Sequence, residues 1–284
     1  MLLVDMSNLT FGTISDFHRL SGDQPDMAGF RHLVTNKLKT VRDKLKAYSD
    51  ETVICLDSTT GYWRTDVFPH YKGDRNRSDD TLDWKNVFKC FDEYKKELKE
   101  FFPVKVVEVD KAEGDDIIAV LAKRYSVHKP VCIYSSDKDL LQIQNDTNGK
   151  VKQFSMSKNG FITPANSNYD LFEHIVRAGD DGIPNILSDE DTFITPGKRQ
   201  KPMYAKKVQE WKQYGIYEPE RFCTDVTMLE RFKRNQILVD LNMIPQDIQD
   251  QIVEAYEAAE PNSGKMFTYL QANRLNQILR LGGF

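Results

Sequence analysis

Four short apolar runs set the rhythm of the chain. Residues 2–5 (LLVD), 52–57 (TVICLD), 106–109 (VVEV) and 131–134 (VCIY) are rich in β-branched and aliphatic residues and almost free of polar interruptions. Such runs predict strands buried on both faces, as in a parallel sheet. Between them the period lengthens. Over 27–48, Phe30, Leu33, Leu38, Val41 and Leu45 fall on one side of a helix, and Ile117, Ile118, Val120 and Leu121 form a second apolar stripe. The stretch 106–143 therefore reads as strand, helix, strand, a βαβ unit. A helix is expected over 84–101, ending before Pro103, and a small antiparallel pair over 151–162 around the turn signal Asn159-Gly160. From residue 168 the pattern is helical, at about 169–177, 203–214, 225–239, 245–259 and 266–281. The expected fold is α/β, with a mostly parallel central sheet flanked by helices over 1–167 and a helical subdomain over 168–284.

Each of the four strands runs straight into carboxylates: Asp5, then Asp57, then Asp110, Glu113, Asp115 and Asp116, then Asp137 and Asp139. In a parallel sheet these turns gather at the carboxyl ends of the strands, where such sheets place ligands. A single acid there can merely cap a helix or complement its dipole. Two unit charges about 4 Å apart repel by roughly 4 kcal/mol at an effective dielectric near 20, so a cluster of five or more calls for a cation. All-oxygen, hard donors favour Mg²⁺ or Mn²⁺ over zinc.

The segment 58–83 has no sustained period and mixes Tyr62, Trp63, Phe68 and Tyr71 with Arg64, Lys72, Arg75 and Arg77. A long polar loop inside a domain is usually functional or disordered, and aromatic and basic residues together suit base stacking and phosphate pairing. A second basic run, Lys198, Arg199, Lys201, Lys206 and Lys207, follows the acidic turn at 178–185. The net charge of −4 excludes wholesale attraction to nucleic acid, so binding would have to come from such local patches. Cys55, Cys90, Cys132 and Cys223 are widely spaced and read as reduced core thiols. With no signal-peptide core and no membrane-length apolar run, a cytoplasmic location is expected. His18, His70, His128 and His174 are isolated in sequence, and all but His70, which precedes a basic motif, read as solvated or core side chains.

Taken in order, the two strand-Asp units, Tyr-Lys-Gly-x-Arg at 71–75, Glu-x-Asp-Asp at 113–116, Ser-Ser-Asp-x-Asp at 135–139 and Gly-Asp-Asp-Gly-Ile-Pro at 179–184 resemble the 5′ nuclease (flap endonuclease) family. Further likenesses lie at 60–64 (TGYWR), 113–121 (EGDDIIAVL), 234–241 (RNQILVDL) and 264–269 (GKMFTY), so the resemblance covers nearly the whole chain. It implies a PIN-like nuclease core with an arch or gateway segment at about 58–83. It also implies a 5′-to-3′ exonuclease and flap endonuclease acting on RNA–DNA hybrids and on 5′-flap or nicked duplex DNA, with removal of RNA primers in phage-type replication. Two Mg²⁺ ions per site are implied, with Mn²⁺ able to substitute. Carried over by position, Asp5, Asp57, Glu113 and Asp115 match the first metal site, Asp137 and Asp139 the second, and Asp116 an adjoining acid. On a regular helix Glu113 and Asp115 face different ways, so their joint use requires Glu113 to sit on the turn before the helix.

Lys72 and Arg75 match the arch residues that meet the scissile phosphate and are the catalytic candidates. Arg64, Tyr71, Arg77, Lys198, Arg199 and Lys201 are the candidate nucleic-acid contacts. Two departures stand out. The family's Gly-Asp-x-x-Asp turn is here Gly179-Asp180-Asp181, and a gapless match puts Ala178 where the first Asp belongs, which favours Asp181 over Asp180 as a ligand. Residues 186–200 carry one glycine, so no potassium site is expected, and the loop at 198–201 takes over duplex contact. Candidate protein partners are a single-strand-binding protein or a sliding clamp; a monomer without membrane attachment is expected. Three other readings compete. An Asp-x-Asp phosphatase is disfavoured by Ser7 in place of its second Asp, and a plain PIN-like ribonuclease would lack the arch and helical tail. A DNA-structure-binding protein is separated only by assay.

Overall fold

The computed structural model of the chain describes residues 1–73, 81–262 and 264–280. In chain order its elements are β1 (Leu2–Asp5), α1 (Met6–Ser21), α2 (Met27–Lys44), β2 (Thr52–Leu56), α3 (Trp63–Val67), α4 (Trp84–Phe101), β3 (Lys105–Glu108), α5 (Gly114–Tyr125), β4 (Val131–Tyr134), α6 (Gln142–Asp146), β5 (Val151–Ser155), β6 (Gly160–Ile162) and α7 (Pro164–Ser167). The remainder is α8 (Leu171–Arg177), α9 (Ala205–Lys212), α10 (Val226–Val239), α11 (Gln246–Ala258), α12 (Met266–Ala272) and α13 (Asn276–Arg280).

The strands form one sheet in the order β3-β2-β1-β4-β5-β6. The first five are parallel and β6 returns antiparallel on β5. The chain leaves β1 toward β2 on one side and lies against β4 on the other, so the strand order reverses at β1, the place where α/β sheets open a crevice beyond their carboxyl ends. The sheet divides its side chains by parity. Leu2, Val4, Ile54 and Tyr134 pack with α1, α2, α4, α12 and α13, while Leu3, Val53, Cys55 and Ile133 pack with α5 and α11. A third cluster joins Phe68 and Tyr71 to α8, α9 and α10.

Several elements differ from the sequence reading. No helix was expected after the first strand, yet α1 starts there at once, because Asp5 closes β1 and caps α1 by accepting from Asn8 N at 2.9 Å. Its central Gly12 marks a close approach: a Cβ there would overlap the Met156 methyl, the far end of a flexible side chain beside the β5–β6 turn. The expected hairpin is present, but β5 also extends the parallel sheet. Segment 58–83 is not all loop, since α3 lies within it and Trp63, Phe68 and Tyr71 are buried. Arg75 and Arg77 lie outside the described residues. The single helix expected over 266–281 is two, parted at Arg274, whose φ of 57° cannot continue a right-handed helix. All four cysteines are free thiols, three of them buried. Among the described residues no helix is long and apolar enough to cross a membrane.

Candidate active site

The strand-end acids do meet at the switch point. Asp5 ends β1, and its second oxygen accepts from Ser135 Oγ, just past β4, at 2.7 Å. Asp57, one residue past β2, accepts from Ser7 Oγ at 2.6 Å and from Gly114 N at 2.8 Å. The N-terminus of α5 packs closely on β2 here, a Cβ at Gly114 lying at ordinary contact distances, 3.4 Å from Asp57 Oδ1 and 3.5 Å from the Cys55 carbonyl. Glu113 is the N-cap of α5, the pre-helical position that the pairing with Asp115 demanded. Ser7 and Ser135, the hydroxyls that orient the first two acids, have no role in the sequence reading, although Ser7 stands where a phosphatase would have an acid and Ser135 stands in a quoted motif.

Three side chains take roles other than those expected. Arg64, read as a nucleic-acid contact, is only 3% exposed. Its fork binds both oxygens of Asp116 at 2.8 and 2.9 Å, Glu113 Oε2 at 2.7 Å and the Leu238 carbonyl at 2.9 Å. Burial works to lower its pKa, but Asp116 and Glu113 outweigh it and hold the guanidinium charged. Asp116, read as a metal candidate, is fully buried and committed: besides Arg64 it accepts from Trp63 Nε1 and from Glu113 N, both at 3.0 Å, closing a capping box. It has no oxygen left to turn toward the crevice. Tyr71 likewise does not offer its ring for stacking, being buried with its one hydroxyl proton shared between Glu113 Oε2 at 2.9 Å and Asp181 Oδ2 at 3.3 Å.

Lys72 stands between the two groups of acids. Its ammonium pairs with Glu113, lies 3.8 Å from Asp181 Oδ2 and sits over the rings of Tyr62 and Tyr71. Its backbone has φ 57° and its N–H donates to the Asp181 carbonyl at 2.7 Å, so the turn at 178–185 holds segment 58–83 at Lys72.

The second acidic turn is braced from below. Asp137 N donates to Ser135 Oγ at 3.0 Å, Asp139 N donates to Asp137 Oδ1 at 2.8 Å, and Gln153 Nε2 donates to the carbonyls of Ser135 and Asp137. His174, expected to be solvated or core, places Nδ1 3.1 Å from Asp139 Oδ1. Burial works to lower the imidazole pKa, but Asp139 prevails and raises it. Asp137, Asp139, His174, Asp180 and Asp181 line a cleft of about 530 Å³. A neighbouring hollow of about 390 Å³ is lined by Asp5, Asp57, Lys72, Asp115 and Asp137, so Asp137 faces both.

The crowding has an electrostatic signature. Burial pushes the Asp5 carboxyl up to about 7, with Asp57 and Asp137 pushing the same way. Burial and then Asp139 push Asp137 up to about 6. Asp115 is raised well above its ordinary 3.8 by burial and by the charges of Asp137, Asp5, Asp57 and Glu113. Acids held this way gain from a nearby cation. The donors are all oxygen and fit a hard divalent ion. Among the described residues no three His, Cys, Asp or Glu side chains are gathered closely enough to hold a metal ion as they stand, and Glu113 is turned onto Arg64, Tyr71 and Lys72.

The distal basic residues divide. Lys198 is engaged within its own loop, 3.1 Å from Asp189 Oδ2 and paired with Asp191, whereas Arg199 and Lys201 are exposed. Asp189 also binds Arg231 Nη2 at 2.7 Å. A duplex contact by Lys198 would have to displace these acids.

An α/β crevice walled by acids from four strand-end turns, with a lysine between them, defines a class. Residues 1–171 match the model of the 5′-3′ exonuclease N-terminal resolvase-like domain, and residues 166–281 that of the T4 RNase H C-terminal domain. The chain belongs to this 5′-3′ exonuclease family and is a nuclease. It is 30% identical to the ribonuclease H of enterobacteria phage T4 over 97% of this chain and 92% of that protein. A 5′-3′ exonuclease of Mycoplasmopsis pulmonis is 29% identical over 40% of this chain and 37% of that one. In fold the chain is similar to the phage T5 5′-exonuclease with divalent zinc bound (TM-score 0.61, 19% identity, 90% of this chain and 98% of that one). It is also similar to the bacteriophage T5 flap endonuclease in a pseudo-enzyme-product complex with DNA and metal ions (TM-score 0.60, 18% identity, with the same coverage).

Proposed function

We propose that this nuclease is a divalent-metal-dependent 5′-to-3′ exonuclease and flap endonuclease. It hydrolyses phosphodiester bonds in RNA–DNA hybrids and in nicked or 5′-flap duplex DNA, and it removes RNA primers during phage-type replication. The observation that carries the reading is the convergence of Asp5, Asp57, Asp115 and Asp137 on one hollow at the switch point, where burial and then their mutual charges raise the carboxyl pKa values of Asp5, Asp115 and Asp137. Asp5, Asp57, Glu113 and Asp115 would hold one Mg²⁺ or Mn²⁺, and Asp137, Asp139 and Asp181, with Asp180 beside them, a second. Such ions would supply an activated water and charge stabilisation of the leaving oxygen.

The chain's own groups do the rest. Ser7 and Ser135 fix the Asp57 and Asp5 carboxylates by single hydrogen bonds. Lys72, already at the junction of the two acid groups, offers its ammonium to the scissile phosphate, and Arg75 follows it on the same segment. Residues 1–167 carry the chemistry. Within 168–284, α8 to α10 stand beside the site, and exposed Arg199 and Lys201 meet duplex phosphates. The enzyme acts as a monomer in the cytoplasm, that of the host for a phage-encoded chain, where a single-strand-binding protein or sliding clamp could present its substrate.

The test is cleavage of a 5′-labelled flap duplex and of an RNA–DNA hybrid with Mg²⁺ and with a chelator. Short 5′ products from both substrates, lost on chelation, are expected. Binding of the flap without any cleavage would make the chain a DNA-structure-binding protein instead.

A further inference from the structure

Helix α10 ends where both acidic turns can reach it. The last carbonyls of a helix have no partner further along it. Here two of them are taken by long polar side chains from elsewhere: Arg64 Nε donates to the Leu238 carbonyl at 2.9 Å, and Gln142 Nε2 to the Val239 carbonyl at 3.2 Å. Gln142 Oε1 in turn accepts from Leu241 N at 2.8 Å. Each side chain then reaches back to one acidic turn. The remaining nitrogens of Arg64 bind Glu113 and Asp116, and Gln142 Nε2 also donates to the Asp139 carbonyl at 2.8 Å. Arg64 is 3% and Gln142 2% exposed, so neither can meet DNA. Further up the same helix, Asn235 Nδ2 donates to the Pro184 carbonyl at 2.9 Å and to that of Ile175 at 3.1 Å, which ties in the third turn.

We propose that Arg64 and Gln142 are positioning residues that lock the Glu113 turn and the Asp139 turn to the C-terminal end of α10, giving the two groups of acids one rigid reference. The inference rests on the proposed metal-dependent function. The residue types suit the task. A guanidinium presents a planar fork that can serve a carboxylate and a carbonyl at once, which a lysine ammonium on a flexible stem cannot do in the same geometry. A glutamine carries two donors and an acceptor, and here both kinds are used. Groups that orient metal-binding side chains typically change metal affinity by roughly 10- to 100-fold when removed.

The experiment is calorimetric titration of the full DNA-free chain with Mn²⁺, for the wild type, Gln142→Met and Arg64→Lys. It is paired with thermal melting, flap-duplex affinity in chelator, and kcat and KM in excess metal. Folded variants whose Mn²⁺ affinity falls roughly 10-fold or more, with kcat reduced and duplex affinity within about twofold of wild type, are expected. Arg64→Lys should weaken one ion and Gln142→Met the other. If Arg64→Lys does not fold, Gln142→Met alone decides. Wild-type-like Mn²⁺ binding in the folded variants overturns the inference and leaves the function standing. So does loss of metal and duplex affinity in equal proportion, which would mark a mere prop. A wild type that binds no Mn²⁺ overturns the function itself.

Discussion

Replacing Asp137 with Asn should make the metal-free protein more stable and the metal-loaded enzyme inactive. In the fold the Asp137 carboxyl is raised from 3.8 to about 6, first by burial and then by Asp139. At about 1.4 kcal/mol per pH unit, the interval between those values corresponds to about 3 kcal/mol of cost for ionising this group in the native state. The sign follows from linkage. A carboxyl whose folded pKa lies above its unfolded one contributes stability that is fully present below pH 3.8 and is lost as pH rises through about 6. Asn keeps the acceptor for Asp139 N, which Asp137 Oδ1 receives at 2.8 Å, and removes the charge. Asp139 and Asp181 share the repulsion, so the expected gain at pH 7.5 in chelator is about 1 to 3 kcal/mol. Urea unfolding at pH 7.5 and pH 4, with and without Mg²⁺, checks it. The gain should shrink toward zero at the lower pH, and Mg²⁺ should stabilise the wild type more than the variant, since only binding to the native state adds stability. A variant no more stable than wild type in chelator at pH 7.5 would refute the claim that ionising this buried, crowded carboxyl costs stability.

Lys72→Ala should lower single-turnover cleavage by roughly 10²- to 10³-fold while changing duplex affinity little; equal losses in both would make Lys72 a mere phosphate anchor. Arg199→Ala with Lys201→Ala should flatten the salt dependence of duplex binding by about 1.8 units of slope, at about 0.9 per contact. Lys198→Ala should leave that slope unchanged, because its ammonium is already held by Asp189 and Asp191. Asp181→Ala should raise the Mg²⁺ concentration needed for cleavage more than Asp180→Ala does, and the reverse order in a metal titration would assign the ligand to Asp180.

What the sequence disclosed is whatever is local. Asp5, Asp57, Glu113 and Asp137 each stand within a few residues of a strand end, so recognising the strand was enough to place the acid at the crevice. Glu113 at the N-cap followed from the family resemblance, since its joint use with Asp115 required a position before the helix. What it concealed depends on the return of distant chain. Arg64 lies 49 residues from Glu113 and 52 from Asp116, and Gln142 lies 97 from Val239. In the stretch 58–83 a tryptophan and arginine that grip a buried carboxylate have the same composition as a pair that stacks a base. Only burial separates the two uses. For Lys198, too, composition counted the lysine but not the acids at 189 and 191 that take it up. Helix α1 was hidden for a different reason. With Gly12 and β-branched Thr10, Thr13 and Ile14 its propensity is low, and it forms because Asp5 caps it and Met6, Leu9 and Ile14 are buried.

The most direct test of the account is anomalous scattering from crystals grown with Mn²⁺. Two peaks in the crevice are expected, one within coordination distance of oxygens from Asp5, Asp57, Glu113 or Asp115, the other of oxygens from Asp137, Asp139 or Asp181, with the Asp116 carboxylate still bound to Arg64. Full Mn²⁺ occupancy elsewhere with none among these acids, or a Mn²⁺ ion held by Asp116, would contradict it.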